Sequence, residues 1–221
     1  MRRWLLLLLI PGLLAAQVAQ KANEGYRTEE GRANVGKGLA GPNRDAQQKP
    51  EQLVRSLGIK PGMSVADVGT GVGYMLPFLS KAVGPGGHVY AEDIFPDFLD
   101  KAKQRGAESK LENVTFILGD THSPKLPPGK LDLVLILDAY HHFDYPSDML
   151  ADIKRALAPG GRLAIVEYYK TKDSMGGGRA LEHIRFTDTE LVKELESYGF
   201  HKVSVQPHVP NVQYLAIFRP R

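Results

Sequence analysis

The sequence predicts a Rossmann-like α/β fold, doubly wound, with a mostly parallel seven-stranded sheet and helices on both faces. Three observations carry this. Short apolar, β-branched segments alternate with helical stretches from about residue 45 onward, the signature of parallel βαβ units with right-handed crossovers. The segment Leu131–Leu137 is nearly all apolar, as a strand covered on both faces is, and so belongs at the centre of the sheet. At the tail a helix is followed by two strands joined too closely for a crossover helix, which makes the last pair antiparallel.

The elements follow in order. Met1-Arg2-Arg3 precedes an apolar run, Trp4 to Ala16, interrupted by Pro11-Gly12. Its length suits the core of a signal peptide and falls short of the roughly 20 residues that span a bilayer. Residues 1–19 therefore read as a leader cut after Ala16 or Ala19, or as an uncleaved N-terminal anchor. The paired arginines loosely resemble a twin-arginine signal, but general secretion fits better. The expected location is periplasmic or secreted if the leader is cleaved, and membrane-anchored if it is not, with no membrane span in the mature chain. Residues 20–44 are rich in Gly, Asn, Lys and Glu and read as a loose, flexible arm. Gln52 to Leu57 can form a helix stopped by Gly58.

Strands are expected at 63–69, 88–93, 114–120, 131–140 and 162–169, with helices near 72–83, 96–109 and 146–157. The segment 121–130 is too rich in proline to hold more than a helical turn. Thr187 and Glu190 form a capping box opening a helix that closes at Gly199. Strands at 201–205 and 214–218 complete the chain. Its 221 residues suffice for one domain with a sizeable core.

Composition narrows the function. Hydrophobic residues are 43% and charged residues 24%, an ordinary globular balance. The net charge of +3 falls to about +1 once Arg2 and Arg3 leave with a leader. That balance gives no footprint for nucleic acid. The densest basic cluster, Lys101, Lys103, Arg105 and Lys110, is interleaved with Asp97, Asp100 and Glu108 and reads as a solvated helix face. The chain has no cysteine, so disulfides, thiolate nucleophiles and Cys-ligated metals are excluded.

The chemistry concentrates at strand ends. Val65 to Tyr74 joins the first strand to a helix through Gly69, Gly71 and Gly73, where glycine permits a tight turn and close approach of backbone N–H groups to a ligand. Asp93 ends the second strand, where an acid can accept both hydroxyls of a ribose. Asp120 ends the third after Gly119, and Asp138 lies near the end of the fourth. Open α/β sheets bind ligands beyond the carboxyl ends of their strands, so these groups should share one crevice. A nicotinamide-binding fingerprint needs a third glycine where this chain has Tyr74. An NAD(P)-dependent oxidoreductase is accordingly the weaker reading.

These pieces resemble the class I S-adenosylmethionine-dependent methyltransferases, nearest to the small "methyltransferase type 11" group. The likeness rests on Val65–Gly73, on Val89–Ile94, on Gly119-Asp120, on Leu131–Phe143, on Leu157 to Leu163 with its Pro159-Gly160-Gly161 turn, and on Arg44–Pro50. It covers about residue 45 to the end and implies a methyltransferase domain at 45–221 with a reversed last strand. It implies S-adenosyl-L-methionine as cofactor, held by Asp67, Gly69, Thr70, Gly71 and Gly73 around the methionine part, by Asp93 and Ile94 at the ribose, and by Asp120 and Thr121 near the adenine. Asp138 is expected to close the same site. Where the group often has a tryptophan this chain has Gln47, so a weaker grip on the cofactor is expected.

Methyl transfer from a sulfonium is an in-line displacement at carbon, and the protein must chiefly align donor and acceptor and exclude water. The catalytic candidates are Tyr140, His141 and His142, on the stretch leaving strand four. Either histidine could accept a proton, and Tyr140 could orient the acceptor or offer its ring to the sulfonium. No metal site is expected, because adjacent histidines on an extended run point opposite ways. Met175-Gly176-Gly177-Gly178 reads as a hinge, with His183 or Arg185 able to meet an acidic substrate. The acceptor is expected to be a small molecule, since the chain adds no sizeable substrate domain and no basic groove. A non-catalytic nucleotide-binding protein of the same fold is the alternative.

Overall fold

The computed structural model describes residues 17–221, so the apolar run Trp4–Ala16 lies outside the described residues. Among the described residues seven strands form one sheet in the order β3-β2-β1-β4-β5-β7-β6. They are β1 (Ser64–Val68), β2 (His88–Asp93), β3 (Val114–Leu118), β4 (Leu131–Leu137), β5 (Leu157–Tyr168), β6 (Phe200–Val209) and β7 (Gln213–Pro220). β1 to β5 pair in parallel, and β7 runs antiparallel to both β5 and β6. The strand order reverses between β1 and β4, which is where such sheets open a ligand crevice.

The helices are α1 (Glu29–Leu39), α2 (Arg44–Gln48), α3 (Pro50–Leu57), α4 (Leu76–Val83), α5 (Pro96–Glu108), α6 (Pro146–Ala156), α7 (Ala180–His183) and α8 (Asp188–Ser197). Proline opens α3, α5 and α6, where its missing N–H costs nothing. The capping box that begins α8 is present: Glu190 N–H donates to Thr187 Oγ1 and Thr187 N–H to Glu190 Oε2. None of the described helices is long and apolar enough to cross a membrane.

β4 shows why the sheet is covered on both sides. Val134 and Ile136 pack with Leu150, Ile153, Leu191 and Leu195 of α6 and α8. Leu133 and Leu135 pack on the other face with Leu53, Leu57, Leu76 and Leu79 of α3 and α4. Each such buried aliphatic side chain contributes about 1.5–3 kcal/mol. The strand stops at Leu137, short of the expected Tyr140, because Asp138 takes a positive φ of 52° and Tyr140–His142 winds into a 3₁₀ turn.

The segment 20–44 departs from the expected loose arm. Thr28 caps α1 by accepting Gly31 N–H, Glu29 and Glu30 occupy its first turn, and Lys37 its last, all favourable to the helix dipole. Arg32 clamps Asp97 of α5 through Nε at 3.0 and 2.8 Å, and Ala22 is buried. Polar composition concealed an element whose inward face needs only a few contacts. Arg105 likewise leaves the expected solvated face and donates to Val72 O at 3.1 Å, pinning the glycine turn.

Candidate active site

A cleft of about 430 Å³ opens at the carboxyl ends of β1, β2 and β4, with residues 17–44 forming its outer wall. Its floor is the turn after β1. Gly69, Gly71 and Gly73 hold φ of 73°, 57° and 75°, the region that a side chain disfavours by about 1–2 kcal/mol. Space adds to conformation: a Cβ on Gly69 would stand 2.6 Å from Ala139 Cβ. Gly73 differs from the other two. A Cβ there would press on the Ala102 backbone of α5 at 3.0 Å, so it is a packing glycine and does not line the cleft. Tyr74 closes the turn with its hydroxyl on Asp45 at 2.8 Å.

Three buried acids, Asp67, Glu92 and Asp93, meet at this floor with the half-buried Asp138. Asp67 accepts the Thr70 hydroxyl at 2.7 Å, and burial pushes its pKa up to about 6. Asp93 Oδ2 accepts Gly71 N–H at 2.9 Å and Oδ1 accepts Phe95 N–H at 3.0 Å. Its pKa too is raised to about 6, by burial. The acid expected to reach outward for a ribose therefore also anchors the glycine turn. Glu92 is pushed well above the ordinary carboxyl range by burial and by neighbouring Asp93, and its Oε1 has no partner among the described residues. Asp138 accepts Gln48 Nε2 and Gln213 Nε2, each at 2.7 Å. Burial, with Glu167 nearby, lifts it to about 7. Carboxyl groups held above their ordinary pKa in this way are complementary to a cationic ligand, which favours their ionised forms.

Arg44 is one of three arginines lining the cleft, with Arg27 and Arg32. It lies over the Tyr74 ring at 4.7 Å, and its buried Nε finds no acceptor among the described residues. Asp120 is exposed and lies at the cleft edge beside Thr121 and Ile94. Its carboxylate is already engaged, accepting His122 and Ser123 N–H at 2.9 Å each and pairing with Lys125 at 3.1 Å. These bonds hold its pKa low, His122 N–H foremost. The opposite wall is aromatic: Tyr26 stacks on Phe95 at 5.9 Å and meets the edge of His142 at 4.6 Å.

Of the three catalytic candidates only His142 lines the cleft. Its Nδ1 is 2.8 Å from Asn23 Oδ1, and burial holds its pKa well below the ordinary value. Tyr140 points the other way. It is fully buried, donates its hydroxyl to Glu194 at 2.7 Å and packs on Phe143 and Phe186. It neither orients an acceptor nor faces a sulfonium. The 3₁₀ turn rotates it into the core, where an extended chain would have exposed it. His141 is one layer behind the cleft, its Nδ1 2.8 Å from both oxygens of buried Glu167. Nor is Arg185 free to meet a substrate, since it pairs with Glu194 at 3.0 Å and lies over Phe186 at 4.9 Å. Gln47 faces a second cavity of about 330 Å³ with Tyr168 and Arg179, away from the glycine turn. The Gln-for-Trp exchange therefore does not open the main cleft.

Comparison with known proteins agrees with this geometry. A family profile described as a methyltransferase domain matches residues 66–165. A crystal structure of an S-adenosylmethionine-dependent methyltransferase from Aquifex aeolicus superimposes with a TM-score of 0.77 at 28% identity, covering 84% of this chain and 96% of that one. The chain thus carries a methyltransferase domain at residues 66–165 and shares the fold of an S-adenosylmethionine-dependent methyltransferase. Curated relatives include an arsenite methyltransferase of Halobacterium salinarum, 28% identical over 166 residues and 71% of this chain. Another is the ubiquinone/menaquinone biosynthesis C-methyltransferase UbiE of Burkholderia cenocepacia, 25% identical over 153 residues and 68% of this chain. The chain spans only 42% and 63% of these two relatives' lengths.

The cleft fits S-adenosylmethionine, the cofactor that these similarities imply. The unpartnered Arg44 Nε suits a carboxylate, the buried acids suit an ammonium and a sulfonium, and positive-φ glycines leave the floor open to a ligand. Several site residues escaped the sequence reading: Asn23, Tyr26, Arg32, Gln48 and Glu92, and Arg44 was given no role of its own. The cap at Thr28 with Glu29 and Glu30 was a readable helix signal. The pairings Gln48–Asp138 and His141–His183 span 90 and 42 residues and leave no local pattern.

Proposed function

We propose that this protein transfers a methyl group from S-adenosylmethionine to a small-molecule acceptor entering the cleft beside His142. The observation that carries the reading is the convergence of the glycine turn, four acids at its floor and Arg44 on one cleft at the sheet's switch point. The bound cofactor supplies an electrophilic methyl group on sulfur. Arg44 receives the methionine carboxylate and Asp67 faces the ammonium end. Asp93 accepts the ribose hydroxyls on lone pairs left free by its backbone bonds. Ile94 and Phe95 cover the adenine, whose edge meets the Asp120–Thr121 turn. Residues 17–44 then exclude water from the reacting atoms, which strengthens each of these interactions.

The acceptor end is bounded by Asn23, His142, Phe143 and Asp144. Should the acceptor carry a proton, the lining group suited to take it is Asp138, whose pKa of about 7 matches proton acceptance near neutrality, while burial makes His142 a weak base. The test is S-adenosylhomocysteine production by the full chain with methyl-labelled cofactor and a panel of small hydroxyl, amine and thiol acceptors. Production that requires an acceptor supports the reading. Tight S-adenosylhomocysteine binding with no turnover on any acceptor would favour the non-catalytic alternative.

Export by residues 1–19 belongs to the same proposal. Val18 N–H donates to Asp144 O at 3.3 Å and Ala19 is buried, so cleavage after Ala16 keeps these contacts, and cleavage after Ala19 removes them while leaving the rest of the wall. N-terminal sequencing of the fractionated protein decides between them. A mature chain starting at Met1 would contradict cleavage.

A further inference from the structure

Three imidazoles converge where the turn after β4 meets α7. His141 and His183 face each other through their Nε2 atoms at 3.2 Å. One ring nitrogen from each of His141, His142 and His183 lies within 4.8 Å of the others. Two of these rings have their far nitrogen held by an oxygen acceptor: His141 Nδ1 by Glu167, and His142 Nδ1 by Asn23, each at 2.8 Å. An acceptor on Nδ1 places the ring proton there and leaves Nε2 as a lone pair. Glu167 is fully buried and His141 nearly so, an investment of charge that the methyl-transfer chemistry above does not use.

We propose that His141, His142 and His183 bind one zinc ion, with Glu167 and Asn23 orienting two of the ligands and the fourth coordination position open to the cleft. The nitrogen–nitrogen edge of a tetrahedral site with metal–nitrogen bonds of about 2.0–2.1 Å is about 3.3 Å, and the His141–His183 pair already stands at that distance. The remaining approach falls on His142 and on α7, which follows Gly177 and Gly178 at φ of 71° and 75°. A donor set of imidazoles alone selects zinc-like transition metals over magnesium or calcium. The expectation of no metal rested on adjacent histidines diverging. The 3₁₀ turn removes that ground by bringing the His141 and His142 ring centroids to 4.1 Å. The site rests on the methyl-transfer reading only in giving its open position an acceptor to meet.

Cobalt is the probe. The full chain, stripped of metal, is titrated with Co²⁺ and then with Zn²⁺, and its melting temperature is followed alongside. One equivalent of Co²⁺ should give the visible bands of a tetrahedral site, Zn²⁺ should displace it, and Zn²⁺ should raise the melting temperature. His183→Ala, at a half-buried position on α7, should melt normally without metal yet lose both signals. Glu167→Gln should weaken the affinity about 10–100-fold. His122→Ala, at an exposed residue paired with Asp148, should change nothing. Folded wild type with neither spectrum nor thermal shift, or a signal that survives in His183→Ala, would overturn the proposal. A hydrogen bond between His183 and His141 would then account for their contact. S-adenosylhomocysteine binding measured on the same metal-free sample separates that failure from failure of the cofactor assignment.

Discussion

Asp93→Asn should make the ligand-free protein more stable at pH 8 while weakening its hold on the cofactor. Asp93 is 6% exposed, and burial raises its pKa from 3.8 to about 6. The unfolded chain ionises near the lower value and the folded protein near the higher. Stability is thus fully present below about pH 4 and is lost progressively as the pH rises through 6. Two pKa units correspond to about 3 kcal/mol once both states are ionised. Asparagine removes that cost, keeps an oxygen for Phe95 N–H, and loses one hydrogen bond, to Gly71 N–H, worth about 1–2 kcal/mol. The net expectation at pH 8 is about 1–2 kcal/mol of stabilisation, and a change of under about 1 kcal/mol at pH 4.5. Urea unfolding at both pH values, without ligand, measures it. Affinity for S-adenosylhomocysteine at pH 8 should fall at least about tenfold, since each hydrogen bond to a charged acceptor is worth about 1.5–3 kcal/mol. A variant destabilised equally at both pH values would refute the argument that this carboxylate is held at a cost for its ligand.

Other outcomes follow from the same geometry. Cofactor affinity should rise between pH 5 and pH 8: Asp67, facing the ammonium, and Asp93, accepting the ribose hydroxyls, each near 6 in the free protein, bind their partners best when ionised, so binding releases protons on the acid side. Isothermal titration across that range, in buffers of differing ionisation enthalpy, reads both the affinity and the protons. Arg44→Met keeps an apolar stem over Tyr74 but removes the guanidinium, so S-adenosylhomocysteine should bind about 10–100-fold more weakly with little change in melting temperature. Tyr140→Phe should cost about 1–2 kcal/mol of stability through its lost bond to Glu194. Turnover should be unchanged, because the ring lies in the core; a selective fall in turnover would restore Tyr140 to the chemistry.

The parts of this protein that were legible in the sequence are those set by local pattern. Apolar β4, the alternation of strands and helices, the capping box at Thr187 and the glycine turn each obey rules of a few residues' range, and each is present in the structure. The acids were placed at the strand ends, but their burial was not visible: Asp93 was expected to serve a ribose and is also tied to Gly71 and Phe95. What sequence reading lost depended on rotation or on distance. One 3₁₀ turn sent Tyr140 into the core and drew His141 and His142 together. Long-range partners supplied the rest, with Gln48 and Gln213 converging on Asp138, Asn23 on His142, and α1 folding back over the cleft.

The central claim is that the cleft at the switch point takes S-adenosylmethionine. Calorimetric titration of the full chain with S-adenosylmethionine, S-adenosylhomocysteine and NAD tests it most directly. The account predicts one equivalent of either sulfur nucleotide per chain, no NAD binding, and loss of affinity in Arg44→Met. A folded protein that binds neither sulfur nucleotide, or that binds NAD in their place, would contradict it.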